Sequence, residues 1–150
     1  YSDSLPQVAV NSDLMWMDLE DSTLVLNASS HERYVYIREM TPADASLTAA
    51  VANIRVGLFK NQKLAAWAEP CEKPDSFHGF EEFDFYQLPE LRLSLTPADT
   101  VQVAAVVTDI YGRVTVSQDV PYILDESGDA LTWPDSSETD PDPAHWQYGG

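Results

Sequence analysis

The sequence predicts an all-β domain, an antiparallel β-sandwich, and two observations lead to that prediction. Residues 100–122 contain apolar side chains on every other position, with Val101, Val103 and Val107 on one side of the first run. A turn over residues 108–113 separates this run from a second alternating stretch. Short alternating runs bounded by Pro, Gly and Asp are typical of hairpins stacked in a sandwich rather than of a βαβ fold.

A second hairpin is predicted over residues 52–68. Ile54, Val56 and Leu58 alternate along its first strand, and the turn is expected at Lys60-Asn61-Gln62-Lys63. Residues 64–67 then return as the partner strand, because two alternating runs joined by a short polar segment favour a hairpin.

Further strands are predicted where alternation recurs: around Val8 and Val10, and over residues 22–29, 33–38 and 88–95. Two prolines make residues 69–79 a predicted loop. Thr41 followed by Pro42 has the pattern of a helix start, so residues 42–50 are expected to form a short helix or an extended crossing.

The composition changes near the carboxyl end, which indicates two parts: a sandwich over residues 1–124 and an acidic arm over 125–150. Residues 114–150 contain eight acids and no Lys or Arg, and SSETDPDP (136–143) has a linker-like composition. Trp133, Trp146 and Tyr148 are unusual in a free tail. We therefore expect the arm to dock through these three rings.

The formal net charge of −17 excludes several classes of partner. Nucleic acid binding requires clustered Lys and Arg, and an anionic membrane surface repels an acidic domain. The remaining explanations are a hydrated surface suited to a salty medium, a basic partner, or divalent cations. No apolar run is long enough to span a membrane, so no membrane insertion is expected.

Three segments resemble bacterial Ig-like domains. STLVLNASS (22–30) is similar to their second strand, VANIRVGLFKNQKLAAW (51–67) to their central hairpin, and ADTVQVAAVVTDIYGRVTVSQDVPYIL (98–124) to their closing hairpin. Gln62 and Arg113 depart from the pattern, which has glycine and asparagine at those turns. The resemblance implies an Ig-like antiparallel β-sandwich that serves as an accessory domain of an exported protein, in an extracellular or periplasmic location.

Catalytic motifs are absent from the sequence. It contains no nucleophile elbow, zinc-protease, P-loop or dinucleotide pattern. The lone Cys71 stands between Glu69 and Glu72, a setting that does not stabilise a thiolate, so we interpret it as structural. A non-catalytic role is expected, and a small hydrolase that uses clustered acids is the alternative from the enzyme class.

Calcium is the cofactor that the acidic loops could accept. Asp125, Glu126 and Asp129 supply carboxylate oxygens around Gly128, but the segment lacks the length and the final glutamate of an EF-hand loop. Asp109 has a different predicted role, because an aspartate in a hairpin turn commonly accepts hydrogen bonds from the turn amides.

A binding surface could use exposed aromatic rings, either for a protein or for a carbohydrate. The candidate rings are Trp67, Phe77, Phe80, Tyr86, Trp133 and Trp146. Alternation also predicts that Phe83 and Phe85 are buried and that Glu82, Asp84 and Tyr86 share the opposite, solvent-facing side. Such an acidic and aromatic face would suit a basic or polar partner.

Asn27-Ala28-Ser29 matches the N-glycosylation triplet, but it would matter only in a eukaryotic secretory host and it lies inside a predicted strand, so we discount it. The sequence thus favours a protein-interaction or accessory domain that contacts a protein partner or a neighbouring domain. A carbohydrate-binding or calcium-dependent adhesion module is the alternative from the binding class.

Overall fold

A computed structural model describes residues 4–14, 19–40, 48–119, 121–125, 127–128 and 130–132. Twelve β-strands account for most of them: β1 (Gln7–Ser12), β2 (Thr23–Leu26), β3 (Tyr34–Met40), β4 (Val51–Lys60), β5 (Lys63–Trp67), β6 (Glu69–Cys71), β7 (Asp84–Gln87), β8 (Leu91–Ser94), β9 (Thr100–Asp109), β10 (Val114–Gln118), β11 (Tyr122–Leu124) and β12 (Leu131–Thr132). The one described helical segment longer than a single residue is a 3-10 turn at His31–Arg33. The predicted all-β class is therefore confirmed.

Two antiparallel sheets pack face to face. The first has the strand order β1-β3-β7-β6. In the second sheet, β5 pairs with β4, and β4 pairs with one edge of β9. Both β10 and β11 pair with the other edge of β9, and β12 pairs with β11. All strand pairs within these two sheets are antiparallel, which is the architecture of a β-sandwich.

The core lies between the sheets and is built from the alternation seen in the sequence. Val101, Val103, Ala105 and Val107 of β9 are all 0% exposed. Successive side chains of a strand point to opposite faces, so the residues between them belong to the outer side of the sheet. The core cluster also includes Val35 and Ile37 of β3, and Val56 and Leu58 of β4.

Both predicted hairpins are confirmed. β4 pairs with β5 through a two-residue turn in which Asn61 (φ 52°) and Gln62 (φ 65°) both have positive φ. This is the pattern of a type I′ turn, whose twist matches that of the flanking strands. β9 pairs with β10 around residues 110–113, and β4 pairs with β9 along nearly its whole length.

A two-stranded ribbon closes one end of the sandwich. β2 pairs with β8, and Leu24 and Leu26 point from β2 into the core. The Lys60 Nζ atom donates to the Ser94 carbonyl at 3.0 Å, which places the ribbon beside the β4–β5 turn. We call the ribbon and this turn together the closed end.

The structure corrects the predicted loop at residues 69–79. Glu69–Cys71 form β6, which pairs with β7 at the edge of the first sheet. Pro70 is accommodated because an edge strand has one side without ladder hydrogen bonds. The loop itself is shorter than predicted and lies between β6 and β7.

The predicted helix near residues 42–50 is not found in its described part. Thr48 forms an isolated parallel bridge with Ser4, and Ala49 and Ala50 are irregular. Residues 42–47 lie outside the described residues. In the part of the chain that the structure covers, no helix is long and apolar enough to cross a membrane.

The first residues of the predicted arm pair with the sandwich. Ile123 and Leu124 of β11 face Thr132 and Leu131 of β12, and Leu131 is only 3% exposed. The side chain of Leu131 belongs to the core cluster. Trp133, Trp146 and Tyr148, through which the arm was expected to dock, lie outside the described residues.

Candidate functional site

Exposed apolar side chains collect at the end of the sandwich opposite the closed end. The large apolar residues that are more than a third exposed among the described positions are Leu5 (39%), Met40 (48%), Ile110 (58%), Tyr111 (38%) and Val114 (37%). They occupy the start of the chain before β1, the end of β3, the β9–β10 turn and the start of β10. We call these five residues the apolar end.

Strand register places the segments that carry the five residues at one end of the sandwich, where Met40 belongs to the outer side of the first sheet and Val114 to the outer side of the second. Gln7 of β1 pairs with Met40, so Leu5 lies just beyond the last residue of β3. Val114 pairs with Thr108 at the start of the β9–β10 hairpin, and the Val8 amide donates to Ser117 Oγ at 3.3 Å. This hydrogen bond places β1 beside β10. No single stretch of sequence contains the five residues, because they come from three separate segments: Leu5, Met40 and residues 110–114.

Asp109 holds the tip of the β9–β10 turn. Its Oδ1 atom accepts from the backbone amides of Tyr111 and Arg113, each at 2.9 Å, and its Oδ2 atom accepts from Arg113 Nε at 2.7 Å. Burial alone raises the pKa of Asp109, but the hydrogen bonds from Arg113 and Tyr111 outweigh it and lower this pKa. The predicted role of Asp109 as an acceptor of its own turn amides is therefore confirmed.

Two backbone contacts tie the turn to the rest of the apolar end. The Ile110 amide donates to the Ala50 carbonyl at 3.0 Å, and the Ala49 amide donates to the Ser4 carbonyl at 3.0 Å. The backbone next to the exposed side chains is thus held in place by hydrogen bonds. A surface of this kind can bind without first being ordered, which lowers the entropic cost of association.

The border of the apolar end is acidic. Arg38 pairs with Glu82 at 3.3 Å, and Arg113 is held by Asp109. Glu39 and Asp84 are exposed, and neither has an ionic partner among the described residues. The cations beside this surface are therefore engaged, whereas two carboxylates remain available.

The predicted face of Glu82, Asp84 and Tyr86 forms only in part. Glu82 and Asp84 are exposed as expected, but the ring of Tyr86 packs against the core, and Tyr86 is paired with Val35. Burial, and to a lesser extent the charge of Asp84, raise the pKa of Tyr86. Tyr86 is on the inner side because it pairs directly with Val35, a core residue, and paired residues share one face of the sheet; the sequence alone did not indicate this pairing.

The outer side of the first sheet carries a packed aromatic cluster. Phe77 stacks on His31 with ring centroids 4.5 Å apart and meets Tyr36 and Phe80 edge to face at 5.5 Å. Phe77 and Phe85 are 5% and 3% exposed; burial was predicted for Phe83 and Phe85, and Phe83 is only partly buried. These rings cover the sheet and each other, so Phe77 and Phe80 do not form an open platform for a sugar.

Trp67 is covered by a cation. The Arg55 guanidinium carbon lies 3.8 Å from the centroid of the Trp67 ring, and Phe59 meets the same ring edge to face at 6.2 Å. Gly57 lets the ring approach the strand, because a Cβ at this position would lie 3.0 Å from both Trp67 and Leu64. A cation over the ring occupies the face that a sugar would need.

A polar cluster that the sequence did not reveal lies where β1 and β3 approach the end of β10. Asp13 accepts from the Tyr36 hydroxyl at 3.1 Å and pairs with His31 Nε2 at 3.0 Å. Asp119 accepts from the Tyr122 hydroxyl at 3.0 Å. Burial and then the neighbouring carboxylates raise the pKa of both tyrosines, which therefore stay protonated as donors.

The positions of Asp13 and Asp119 bear on the alternative prediction, a small hydrolase that uses clustered acids. A groove of about 340 Å³ lies at the closed end and is lined by Lys60, Asn61, Lys63, Leu64, Ala65 and Leu93. Asp13 and Asp119 do not line this groove, and each accepts a hydrogen bond from a tyrosine. Ser12 Oγ donates to Asp119 Oδ2 at 3.5 Å across 107 positions of sequence, so no local motif could have indicated this cluster.

The predicted calcium ligands are described only for Asp125. Its Oδ1 atom accepts from Ser127 Oγ at 2.8 Å, and its backbone carbonyl accepts from the Gly128 amide at 3.1 Å. Glu126 and Asp129 lie outside the described residues. Within the residues whose placement is given, no three His, Cys, Asp or Glu side chains form a metal-binding group. Calcium binding here stays a prediction.

Cys71 is a free thiol in β6 and is partly buried. Burial raises its pKa, and the charge of Arg33 only partly opposes this effect. The thiol is therefore protonated near neutral pH, which agrees with a structural role.

Comparison of the chain with protein-family models, with curated proteins and with solved structures found no match. The strand order and the surfaces described above are therefore the basis for any functional conclusion.

Proposed function

We propose that this chain is a non-catalytic interaction domain of an exported protein, and that it binds a protein partner through the apolar end. The observation that carries the proposal is the position of the five exposed apolar residues at one end of the sandwich. Single exposed apolar side chains are ordinary, but several gathered at one end of a domain favour an interaction site there. Extracellular or periplasmic location is part of the proposal and derives from the resemblance to exported Ig-like domains.

The partner is expected to have an apolar centre and a basic border. Glu39 and Asp84 have no described counter-ion, and the whole chain has a net charge of −17. Positive charge on the partner would steer association and select against acidic competitors. A second copy of this chain is a poorer occupant, because two surfaces of the same sign repel.

The carbohydrate and calcium alternatives draw less support from the described residues. Trp67 is covered by Arg55, and Phe77 is buried in the aromatic cluster. One carboxylate oxygen of Asp125 accepts a hydrogen bond from Ser127 in its own turn. If calcium binds elsewhere, millimolar calcium must raise the unfolding temperature, since a ligand of the folded state stabilises it.

The test compares two double variants of the chain as bait. The first double variant, Ile110→Ser with Met40→Ser, alters the apolar end. The second is the control, Val25→Ser with Ala65→Ser, which makes the same apolar-to-serine change on β2 of the closed end and on β5. A partner recovered with the unaltered chain is purified and titrated against all three proteins. Each buried apolar side chain contributes about 1–2 kcal/mol, so the apolar-end variant should bind at least about tenfold more weakly.

The salt dependence of the same titration tests the acidic border. The affinity of the unaltered chain should fall as salt rises, and Glu39→Gln with Asp84→Asn should reduce that dependence. Equal binding by the apolar-end variant and the unaltered chain would overturn the proposal. Equal loss in both double variants would also count against it, because the effect would then not be specific to the apolar end.

A further inference from the structure

Asn27-Ala28-Ser29 forms an exposed turn rather than part of a strand. β2 ends at Leu26, and Asn27, Ala28 and Ser29 are all exposed. The prediction that this triplet lies inside a strand is therefore wrong, and the structural ground for discounting it no longer holds; modification still requires a host that has the glycosylation machinery. It is the single Asn-X-Ser/Thr triplet in the sequence, which has asparagine at positions 11, 27, 53 and 61.

The turn uses the carbonyl oxygen of the Asn27 side chain and leaves its nitrogen available. Oδ1 accepts from the Ser29 amide at 3.1 Å, from Ser29 Oγ at 2.9 Å and from Ser30 Oγ at 3.2 Å. The Ser30 amide also donates to the Asn27 carbonyl at 3.0 Å. Among the described residues, no acceptor receives a hydrogen bond from Asn27 Nδ2. Asparagine is well suited to such a turn, because its short side chain can bond the backbone two residues on.

We propose that Asn27 is an N-glycosylation acceptor in the folded chain. The reaction needs a lipid-diphosphate-linked oligosaccharide as co-substrate. Nδ2 of Asn27 forms a bond to the anomeric carbon of the first sugar, and the bond from that carbon to the diphosphate oxygen breaks. The amide nitrogen loses one proton, the lipid diphosphate leaves, and nothing is oxidised or reduced. The product is a bulky, hydrophilic group on a surface turn.

The place of Asn27 in the fold makes the modification compatible with folding. The Ala28 carbonyl accepts from Arg33 Nη1 at 3.2 Å, and Arg33 Nε donates to the Leu88 carbonyl at 2.9 Å. These contacts use the backbone of the turn and leave the Asn27 side chain at the surface. The turn follows the β2–β8 ribbon, so a glycan would cover the closed end and leave the apolar end open.

Asn61 provides a matched control within the same chain. Lys63→Thr completes a second Asn-X-Thr triplet there, also at a turn. However, Asn61 Nδ2 donates to Asp99 Oδ1 at 2.8 Å, and its Oδ1 accepts from the Thr100 amide at 2.9 Å. Both ends of this side chain amide are engaged, so Asn61 should resist modification in the folded chain although its triplet is complete.

The experiment uses purified folded chain, a single-subunit oligosaccharyltransferase that requires only the Asn-X-Ser/Thr triplet, and a lipid-linked oligosaccharide. Intact mass and peptide mapping should find one glycan, at Asn27, in the unaltered chain and in Lys63→Thr. Asn27→Gln and Ser29→Ala should remain unmodified. In urea-unfolded Lys63→Thr, transferred into assay buffer just before the reaction, both asparagines should be modified.

A standard acceptor peptide in the same reaction verifies that the enzyme is active. With that peptide modified, an unmodified Asn27 in the folded chain would overturn the proposal. Modification of Asn61 as readily as Asn27 in folded Lys63→Thr would overturn the argument from geometry. Neither result would bear on the apolar end, because Asn27 lies at the other end of the sandwich.

Discussion

The two ends of the sandwich are made from the same kinds of strand connection but carry opposite surfaces. At the closed end, Asn61 donates to Asp99 and accepts from the Thr100 amide, and the ribbon covers the core with Leu24 and Leu26. Hydrogen bonds from Asn61 and then Thr96 lower the pKa of Asp99. At the apolar end, the polar contacts lie beneath the surface and the exposed side chains are apolar.

This difference indicates that the closed end contributes mainly to stability and the apolar end mainly to binding. Burying apolar side chains and satisfying polar groups stabilises the closed end. At the apolar end, Ile110 is 58% exposed and gains little from folding. Loops placed on a rigid scaffold commonly carry binding residues. Substitutions at the closed end should therefore change stability, and substitutions of exposed residues at the apolar end should change binding.

The largest expected effect is the loss of a side chain that closes the core. Leu24 is 0% exposed, so Leu24→Ala should lower the free energy of unfolding by about 2–5 kcal/mol, through lost burial and the cavity left behind. Urea unfolding followed by circular dichroism measures this as a lower midpoint at an unchanged slope.

The neighbouring position supplies the control for Leu24→Ala. Val25 is paired with Arg92 on the same ribbon and is only partly buried, so Val25→Ala should cost less than about 1 kcal/mol. Ile110→Ala at the apolar end should change stability by about 0.5 kcal/mol or less. Equal losses at Leu24 and Ile110 would mean that the two ends do not differ in the way described.

The second effect concerns the support beneath the apolar end. Asp109→Asn keeps the size of the side chain but removes the charge that binds Arg113, so we expect a lower unfolding temperature at pH 7. Because folding lowers the pKa of Asp109, its contribution is complete above the unfolded pKa of about 3.9. It is lost as the pH falls through the lower folded pKa.

Unfolding temperatures of the two proteins measured from pH 7 to acid pH should therefore converge below about pH 4. Asp84→Asn is the matched control, because Asp84 is exposed and has no described ionic partner; its unfolding temperature should follow that of the unaltered chain. A constant difference between Asp109→Asn and the unaltered chain at every pH would contradict the role of the charge.

Sequence patterns predicted the long strands and both hairpins, because alternation is a local property. Val101, Val103 and Val107 are on one side of β9 whatever the rest of the fold does. The role of Asp109 was predictable for the same reason, since its partners Tyr111 and Arg113 lie within four residues. The hydrogen bonds of a turn can be predicted from the sequence where donor and acceptor are close in sequence.

Features that depend on distant pairing were not predictable. The sequence predicts a loop at Glu69–Cys71, because only the pairing with β7 makes this segment a strand. It predicts Tyr86 on the solvent side, because alternation separates two faces without saying which one meets the second sheet. The apolar end joins segments from Leu5 to Val114, which the registers of β1 with β3 and of β9 with β10, together with the hydrogen bond from the Val8 amide to Ser117, bring to one end of the sandwich.

The smallest expected effect sharpens the comparison of the two hairpin turns. Gln62 has φ 65°, a left-handed conformation that costs a residue with a side chain about 1–2 kcal/mol. Gln62→Gly removes that strain but makes the unfolded chain more flexible, so the net gain should be about 0.5–1 kcal/mol. A higher urea midpoint at an unchanged slope measures it.

Asn61→Gly at the adjacent position should have the opposite sign. Asn61 also has positive φ, yet its side chain bonds Asp99 and Thr100, and glycine would lose both contacts. At the apolar end, Gly112 has φ 82° with nothing within 4 Å of an added Cβ, so Gly112→Ala should be destabilising by conformational strain alone, about 1 kcal/mol. If Gln62→Gly destabilised the chain as much as Asn61→Gly, the turn would owe its stability to the Gln62 side chain rather than to its backbone, and the closed end would need a different explanation.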